Sequence, residues 1–181
     1  MKLLFASDIH GSRGACEQVL ARFEAEQADR LILLGDLLYH GPRNDLPADY
    51  EPKAVIRLLS EFPHRPLCVR GNCDAEIDQM VLPFPILADY ALLPLGAHGC
   101  AFLTHGHLFS LEHLPPLEDG DLLIHGHTHL PAVQRQSGVV YLNPGSCALP
   151  KEGNPPSYMV MKDGVFTIKR LTGETMMEYR L

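Results

Sequence analysis

The chain contains no apolar run that approaches the roughly 20 residues needed to cross a membrane. Its best candidate is interrupted by Pro83, Pro85 and Asp89. The first residues, MKLLFASDIHGS, carry a single lysine, and their apolar stretch is too short for the core of a signal peptide. We therefore predict a soluble protein without membrane association and interpret residues 2–7 as a buried strand.

Closely spaced cysteine pairs are also missing. The sequence has no C-x-x-C, and its five cysteines are scattered and odd in number: Cys16, Cys68, Cys73, Cys100 and Cys147. A disulfide framework is therefore not expected. The pattern favours a reduced, cytoplasmic protein in which most thiols are packed as small apolar groups.

Positive charge is scarce, because 15 Lys and Arg residues face 22 Asp and Glu residues, for a net charge of −7. Proteins that bind nucleic acid neutralise phosphates with clustered basic residues, and the sequence shows no basic stripe. We expect no nucleic-acid-binding patch. A small phosphate ester remains compatible with this charge, because divalent ions would make their own site locally positive.

Several familiar catalytic motifs are absent. The sequence contains no G-x-x-x-x-G-K-[ST] for a nucleoside triphosphate, no H-E-x-x-H of zinc proteases and no G-x-S-x-G nucleophile elbow. The run from His125 to His129 approaches the H-x-H-x-D-H pattern of metallo-β-lactamase-like hydrolases. His129 occupies the position where that pattern needs Asp, so this interpretation is set aside.

The organisation predicts one domain over residues 1–181, since the sequence shows no repeat, low-complexity tract or linker. Its first half alternates apolar strands with helical patterns at ACEQVLARFEAEQ and EPKAVIRLLSEF, which is typical of βαβ units with a parallel sheet. A short helix is predicted near residues 75–80, and the rest is rich in strands. The predicted fold class is α/β, an α+β sandwich of two packed mixed β-sheets flanked by helices.

Five of the apolar runs end at side chains that can bind metal. The residues that follow them are Asp8 and His10, Asp36, Asn72, His105, and His127 and His129. In open α/β sheets, ligands gather outside the carboxyl ends of the strands, so we expect these side chains to share one crevice. Mixed nitrogen and oxygen donors suit Mn²⁺, Fe or Zn²⁺. Seven donors exceed the needs of one ion, which predicts two ions sharing a carboxylate.

The ordered motifs resemble those of the calcineurin-like metallophosphoesterase superfamily. They are D-x-H at 8–10, G-D-x-x-x-x-G at 35–41, G-N-C-D at 71–74, T-H-G-H at 104–107 and G-H-T-H at 126–129. The longer strings HGPRN, THGHLF and NPGS are similar to the YfcE-type small bacterial phosphodiesterases. The resemblance implies a metallo-dependent phosphatase-like fold, a β-sandwich flanked by helices.

The resemblance also implies roles for the donors. Asp8, His10, Asp36 and His129 would hold one ion, and Asp36, Asn72, His105 and His127 the other. The two divalent transition-metal ions are expected to be Mn²⁺, with Zn²⁺, Fe and Ni²⁺ as alternatives. The implied activity is hydrolysis of small phosphodiesters by attack of a metal-bound hydroxide on phosphorus. A phosphomonoesterase or nucleotide phosphatase, and a non-catalytic metal-binding scaffold, are the alternatives.

One departure from the superfamily is Cys73, which stands where many members have a histidine that assists the leaving group. Cys73 is a candidate catalytic residue, and the sequence does not decide between this role, simple packing and an occasional metal contact. Asp74 could orient a neighbouring ligand from a second layer. Arg13 and His40 are candidates for substrate binding. The alternative for Arg13 is a solvated turn residue, and the alternative for His40 is a role in anchoring its loop. Strand edges in a two-sheet fold also make a homo-oligomer plausible.

Overall fold

The computed structural model describes residues 1–136 and 138–181. The first half contains β1 (Lys2–Ala6), α1 (Arg13–Ala25), β2 (Arg30–Leu33), α2 (Pro52–Glu61), β3 (Leu67–Cys68), α3 (Glu76–Gln79) and β4 (Tyr90–Pro94). A 3₁₀ turn at Gly96–His98 precedes β5 (Cys100–Thr104), β6 (Leu122–Ile124), β7 (Pro131–Gln136), β8 (Val139–Pro144), β9 (Ser157–Lys162), β10 (Val165–Arg170) and β11 (Thr175–Arg180).

The strands form two mixed sheets, as predicted. The six-stranded sheet has the order β11-β10-β9-β1-β2-β3, and the five-stranded sheet has the order β4-β5-β6-β8-β7. In the first, β1, β2 and β3 are parallel and the strands from β9 onward are antiparallel. In the second, β5, β6 and β8 are parallel, with antiparallel strands at both edges. The parallel strands therefore form one half of the six-stranded sheet and the centre of the five-stranded sheet, and within each parallel set the carboxyl ends lie together.

The core between the sheets follows from the alternation of side chains along each strand. In β1, Leu3 and Phe5 face the five-stranded sheet, where they belong to the same apolar cluster as Leu103 and Ile124. The intervening residues Leu4 and Ala6 belong to the cluster on the opposite face, beneath the helices. Both faces of the central strands are buried, which explains their nearly continuous apolar sequence.

Helices α1 and α2 were predicted and are confirmed. Helix α1 begins after Ser12, whose hydroxyl accepts a hydrogen bond from the Ala15 amide at 3.1 Å. Helix α2 begins with Pro52, whose fixed φ suits the first helical turn. Both bury their apolar residues against the six-stranded sheet, including Val19 of α1 and Val55 of α2.

The predicted flanking helices α1 and α2 lie on the outer face of the six-stranded sheet, and the five-stranded sheet is covered differently. Its outer face carries Phe102, Leu123 and Tyr141, and they are covered by side chains of the loop between β5 and β6, such as Phe109 and Leu111. In the part of the chain that the structure describes, no helix packs there. A loop fills this position because residues 105–121 have turn residues and prolines but no helical periodicity.

The carboxyl-terminal segment TMMEY lies in edge strand β11. It pairs with β10 through a ladder that contains a bulge at Ile168 and Lys169. Met176 and Met177 are half-buried against the cluster between the sheets. The two halves of the chain thus share one sheet, because β9 pairs directly with β1.

All five cysteines are free thiols: Cys16, Cys68 and Cys147 are buried, and Cys73 and Cys100 are half-buried. Among the described residues, the helices are too short or too polar to cross a bilayer.

Glu26, at the end of α1, connects this helix to three strands. Its carboxylate accepts hydrogen bonds from Lys2 Nζ at 2.5 Å, Lys169 Nζ at 2.6 Å and Tyr158 Oη at 2.9 Å. Burial of the carboxylate opposes ionisation, but these three donors outweigh it and lower the pKa of Glu26 to about 2. Ionised Glu26 therefore stabilises the folded chain.

We predict that Glu26→Gln lowers the free energy of unfolding at pH 7 by about 1–2 kcal/mol, since hydrogen bonds to a charged group contribute about this much. The difference from the parent chain should be complete above the ordinary pKa near 4.5 and should shrink as the pH falls toward 2. Urea unfolding at several pH values measures it. Glu24→Gln, at an exposed position of the same helix, is the control, and an equal effect of both variants would contradict the assignment.

Candidate metal centre

The structure brings all seven predicted donors to one place, at the carboxyl ends of the parallel strands of both sheets. The six-stranded sheet supplies Asp8 and His10 after β1, Asp36 after β2 and Asn72 after β3. The five-stranded sheet supplies His105 after β5, and His127 and His129 after β6. The two parallel strand sets end on the same side of the sandwich, so donors from 8 to 129 meet in one crevice.

An unusual backbone conformation places most of these side chains. Five of the donors have positive φ: Asp8 (59°), His10 (48°), Asp36 (57°), His127 (64°) and His129 (62°). The left-handed region is costly for residues with a Cβ, by about 1–3 kcal/mol each, and such strain collects at functional sites. The left-handed turn after each strand lets several donors face inward within a few residues.

A first group of donors surrounds Asp8. Its Oδ1 lies 3.3 Å from His129 Nε2 and 3.5 Å from His10 Nε2. His10 Nε2 lies in turn 3.6 Å from Asp36 Oδ2. These side chains are almost completely buried, and the donor atoms of Asp8, His10 and His129 all lie within 4.8 Å of one another. This spacing suits a single ion between them.

A second group lies on the other side of Asp36. His105 Nε2 is 3.4 Å from the same Asp36 Oδ2, 3.1 Å from Asn72 Oδ1 and 3.2 Å from His127 Nδ1. Asp36 Oδ2 therefore faces a histidine of each group. This is the position that a bridging carboxylate requires.

The hydrogen bonds of the imidazoles indicate which ring atoms can accept a cation. The Nδ1 atoms of His10, His105 and His129 donate to the backbone carbonyls of Tyr39, Leu34 and Leu149, respectively. Their Nε2 atoms are directed into the crevice and are consequently the ring atoms that either carry a proton or bind a cation. His127 differs, because it directs Nδ1 toward the centre.

The centre fits divalent cations on the chemistry of its donors. His10 Nε2 and His129 Nε2 lie 3.3 Å apart, and two lone pairs at that distance repel unless a proton or cation lies between them. Asp8 Oδ1 is buried and, within the described residues, receives no hydrogen bond. A buried carboxylate oxygen of this kind needs a positive partner.

The carboxylates and imidazoles also shift one another's proton affinities. Burial opposes ionisation of Asp8, but contact with His10 and His129 holds its pKa well below the usual range. Burial likewise disfavours a charged His105, yet the carboxylates of Asp36 and Asp8 raise its pKa to about 9. The negative charge of the crevice attracts any available cation.

Asp74 supports Asp36 through the backbone. Its Oδ2 accepts hydrogen bonds from the amides of Asp36 and Gly71, both at 2.8 Å, and its Oδ1 accepts one from Leu37 at 2.9 Å. The buried carboxylate thereby joins the turn after β2 to the turn after β3. These contacts are those expected of a residue that orients a neighbouring ligand.

Two glycines allow the backbone to approach the carboxylates. A Cβ at Gly71 would overlap the Asp36 carboxylate, and a Cβ at Gly126 would overlap the side chain of Ser7. Both glycines stand beside candidate donors in the sequence motifs. Their close contacts leave no room for a Cβ, which explains why glycine occupies these positions.

A cavity of about 340 Å³ opens over the donors. Its wall includes Asp36, Asn72, His127 and His129, together with three residues of the loop after β2 and one of the loop after β8: Pro42, Arg43, Asn44 and Lys151. Arg43 and Lys151 add positive charge at the rim. Lys151 was not identified from the sequence.

The two predicted substrate-binding residues lie elsewhere. Arg13 is on the exposed surface of α1, where its Nε is 2.8 Å from Glu17 and its Nη1 is 3.8 Å from Glu51. The His40 ring packs edge-on against Tyr39 and Tyr50, with centroid distances of 4.7 and 5.4 Å. The structure does not bring either side chain to the cavity wall, and Arg43 of the same loop as His40 lies there instead.

Cys73 does line the cavity. Its amide donates to Asp36 Oδ1 at 2.8 Å, and its Sγ lies 3.2 Å from Asn72 Nδ2. Burial and the nearby carboxylates of Asp36 and Asp74 raise the pKa of the thiol far above its ordinary value. This shift favours a neutral thiol, which can donate a hydrogen bond and is unsuited to nucleophilic attack.

The loop after β6 is held by a residue that the sequence indicated only as part of a turn. Asn143 Nδ2 donates to Gly126 O at 2.9 Å and to Tyr141 Oη at 2.7 Å, and it lies 3.0 Å from Thr128 Oγ1. Asn143 fixes the segment that carries His127. The string NPGS was the only sequence signal for it.

Comparisons with known proteins agree with this geometry. The profile of the calcineurin-like phosphoesterase superfamily domain matches residues 1–163. The chain is 48% identical over 176 residues to phosphodiesterase YfcE of Escherichia coli K12, and the match covers 97% of this chain and 95% of that protein. The solved structure of YfcE, described as a phosphoesterase from E. coli, matches with a TM-score of 0.95 at 46% identity over 99% of both chains.

A more distant structure has the same fold. Vacuolar protein sorting 29 from Cryptosporidium parvum matches with a TM-score of 0.60 at 18% identity, over 99% of this chain and 98% of that one.

We predict that Asp74→Asn lowers the affinity of the chain for Mn²⁺ by about 10- to 100-fold, because an amide cannot accept all three backbone hydrogen bonds that orient Asp36. Titration calorimetry of the chelator-treated protein measures the affinity. Asp78→Asn is the matched control, since among the described residues the Asp78 carboxylate accepts only from the Ala75 amide, at 2.9 Å, in the cap of α3. Unchanged affinity in Asp74→Asn would contradict its orienting role.

Proposed function

From the membership of this chain in the calcineurin-like phosphoesterase superfamily, we propose that it cleaves small phosphodiesters at a centre of two divalent ions. The chain belongs to this superfamily, and the enzymes of the superfamily hydrolyse phosphoric esters. The observation that carries the proposal is the position of Asp36 Oδ2, 3.6 Å from His10 Nε2 and 3.4 Å from His105 Nε2. One oxygen that faces two separate donor groups supports a paired centre over a single ion.

In this proposal the two groups of donors hold one ion each. Asp8, His10 and His129 complete the first group around Asp36, and Asn72, His105 and His127 complete the second. When bound, two such ions stabilise negative charge on the phosphoryl oxygens and lower the pKa of the attacking water. We propose Mn²⁺ as the ion, supported by the mixture of imidazole, carboxylate and amide donors.

The chain's own residues bind and orient the substrate. Arg43 and Lys151 at the rim attract the anionic ester, and the guanidinium of Arg43 can pair with two phosphate oxygens. Asn72 contributes a neutral oxygen, so it adds a donor without adding negative charge. Cys73 lies on the same wall with its thiol protonated, where it can donate a hydrogen bond to a leaving group.

The preference for diesters is supported by the relative from E. coli that is named a phosphodiesterase. Hydrolysis of phosphomonoesters or nucleotides at the same centre is the alternative. A metal-binding scaffold is a further alternative, because the fold is shared with a vacuolar protein sorting protein. The seven donors argue against the scaffold, since an interaction surface has no need of strained residues in a buried crevice.

A cytoplasmic location is supported by the five free thiols.

The decisive experiment measures hydrolysis by the purified, chelator-stripped protein. Matched phosphodiesters and phosphomonoesters are compared with Mn²⁺, Mg²⁺, Zn²⁺ or no added metal, while calorimetry counts the bound ions. We expect two Mn²⁺ per chain and Mn²⁺-dependent cleavage of the diester. A faster monoester reaction would favour the phosphatase alternative, and two bound ions without hydrolysis would favour the scaffold.

We predict that Asp36→Asn removes nearly all activity and at least one of the two ions, because the amide supplies one neutral oxygen in place of a bridging carboxylate. Metal counting and the diester assay are carried out on the same preparation. Asp45→Asn, at an exposed position of the loop after β2, is the control and should retain both ions. Full activity with two ions in Asp36→Asn would exclude the bridging role.

We predict that Cys73→His raises turnover of esters with poor leaving groups, by up to about 10²-fold, because an imidazole is a better proton donor near neutral pH than a thiol. The leaving-group dependence of kcat is the measurement, with Cys100→His as a control at a half-buried cysteine of β5. A turnover that does not rise, with both ions retained, would count against proton donation from this position.

A further inference from the structure

A second cavity, of about 540 Å³, lies beside the candidate centre on the outer side of the five-stranded sheet. It shares His127 and Thr128 with the first cavity. A phosphorus atom held at the centre would therefore lie next to both spaces. None of the other six candidate donors lines the second cavity, so metal binding does not explain why this cavity is present.

The walls of this cavity combine aliphatic side chains with polar ones. They include four aliphatic side chains: Leu108, Leu111, Leu130 and Ala132. Its floor contains the rings of His125 and Tyr141, which lie against each other with a centroid distance of 4.4 Å and an angle of 34°. Aliphatic walls around a floor of flat rings suit a flat aromatic group, which gains from both burial and ring contact.

The floor is fixed before any ligand binds. Tyr141 is 5% exposed, and its hydroxyl accepts a hydrogen bond from Asn143 Nδ2 at 2.7 Å. Asn143 also holds the Gly126 carbonyl, at 2.9 Å, in the segment that carries His127. The side-chain amide of Asn143 thus connects the ring of Tyr141 to the candidate centre. A substrate substituent that packs on this ring would have a defined position relative to the phosphorus atom. Such preorganisation reduces the entropic cost of binding.

Polar groups at the edge indicate a neutral substituent with hydrogen-bonding capacity. Within the described residues, His107 Nδ1 is buried and has no hydrogen-bond partner, and His107 lies on the cavity wall. Glu112 is also on that wall, and its carboxylate would repel a second phosphate. An uncharged aromatic or heteroaromatic ring avoids that repulsion.

We propose that this second cavity binds a flat, uncharged aromatic or heteroaromatic substituent of the phosphodiester. The proposal names a substrate class for the centre and rests on the proposed function. The phosphate occupies the cavity of Arg43 and Lys151, and the ring lies between Leu108, Leu111 and the floor of Tyr141. The enzyme then prefers diesters with one aromatic group close to phosphorus over diesters with only small alkyl groups.

A non-hydrolysable probe tests this assignment without catalysis. The probe is naphthylmethyl methylphosphonate, and methyl methylphosphonate is its equally charged competitor. The chain contains no tryptophan, so naphthyl emission can be followed without indole background. Fluorescence anisotropy with the Mn²⁺-supplied protein gives the Kd of the probe, and displacement gives that of the competitor. We expect the naphthyl probe to bind at least tenfold more tightly.

The loop between β5 and β6 provides a matched pair of variants. Leu108 and Leu114 are 42% and 44% exposed, but only Leu108 belongs to the cavity wall. Leu108→Ser should weaken naphthyl binding about fivefold, because apolar contact with the ring is lost, while binding of the methyl competitor stays within twofold. Leu114→Ser should change neither Kd. Leu111→Ala serves as a second wall variant with the same expected direction.

Equal affinity for the two phosphonates, or equal effects of Leu108→Ser and Leu114→Ser, would overturn the assignment. Hydrolysis of bis(4-nitrophenyl) phosphate is measured in parallel. Naphthyl binding that depends on Leu108 without hydrolysis would contradict the proposed function and leave the pocket assignment intact. Hydrolysis without naphthyl preference would contradict the pocket alone.

Discussion

The central physical constraint is the negative charge of two buried carboxylates, Asp8 and Asp36. Ionised groups in a dry interior are costly unless they are paired, and here both face imidazole nitrogens at 3.3–3.6 Å. Positive partners, whether protons or cations, are needed for the crevice to remain folded. Much of the surrounding structure holds these two side chains together and keeps their partners in position.

The sandwich provides this convergence through its parallel strands. The turns after β1 and β2 bring Asp8 and Asp36 beside each other, linked by the Asp8 amide to the Gly35 carbonyl at 3.1 Å. The five-stranded sheet brings His105 and His127 from the opposite side. The packed core between the sheets fixes the distance between the two donor groups, because close-packed interiors resist deformation. Strained left-handed residues can persist at the strand ends because this framework holds them.

The two cavities divide the demands of substrate recognition. The first combines the donors with the cationic rim residues Arg43 and Lys151 and is suited to the phosphate itself. The second has aliphatic side chains around the rings of His125 and Tyr141, and His127 is the one candidate donor that it shares with the first. Asn143 connects them, since one side chain fixes both the loop after β6 and the ring of Tyr141. In the proposed arrangement the donors supply the chemistry, and the loop between β5 and β6 determines which substituents bind.

The sequence by itself determined the two-sheet class, helices α1 and α2 and the seven donors, because each depends on local pattern: periodicity, chain order and residues that follow apolar strands. The orienting role of Asp74 was also predicted, from its position directly after Cys73. Other features needed the tertiary structure. Lys151 reaches the rim from a distant loop, and Arg13 is turned away by Glu17 and Glu51. Two further features depend on how the sheets pack: the second cavity, and the orientation of Asp36 between histidines of both donor groups. Sheet packing brings distant segments into contact, and the local sequence pattern does not encode such contacts.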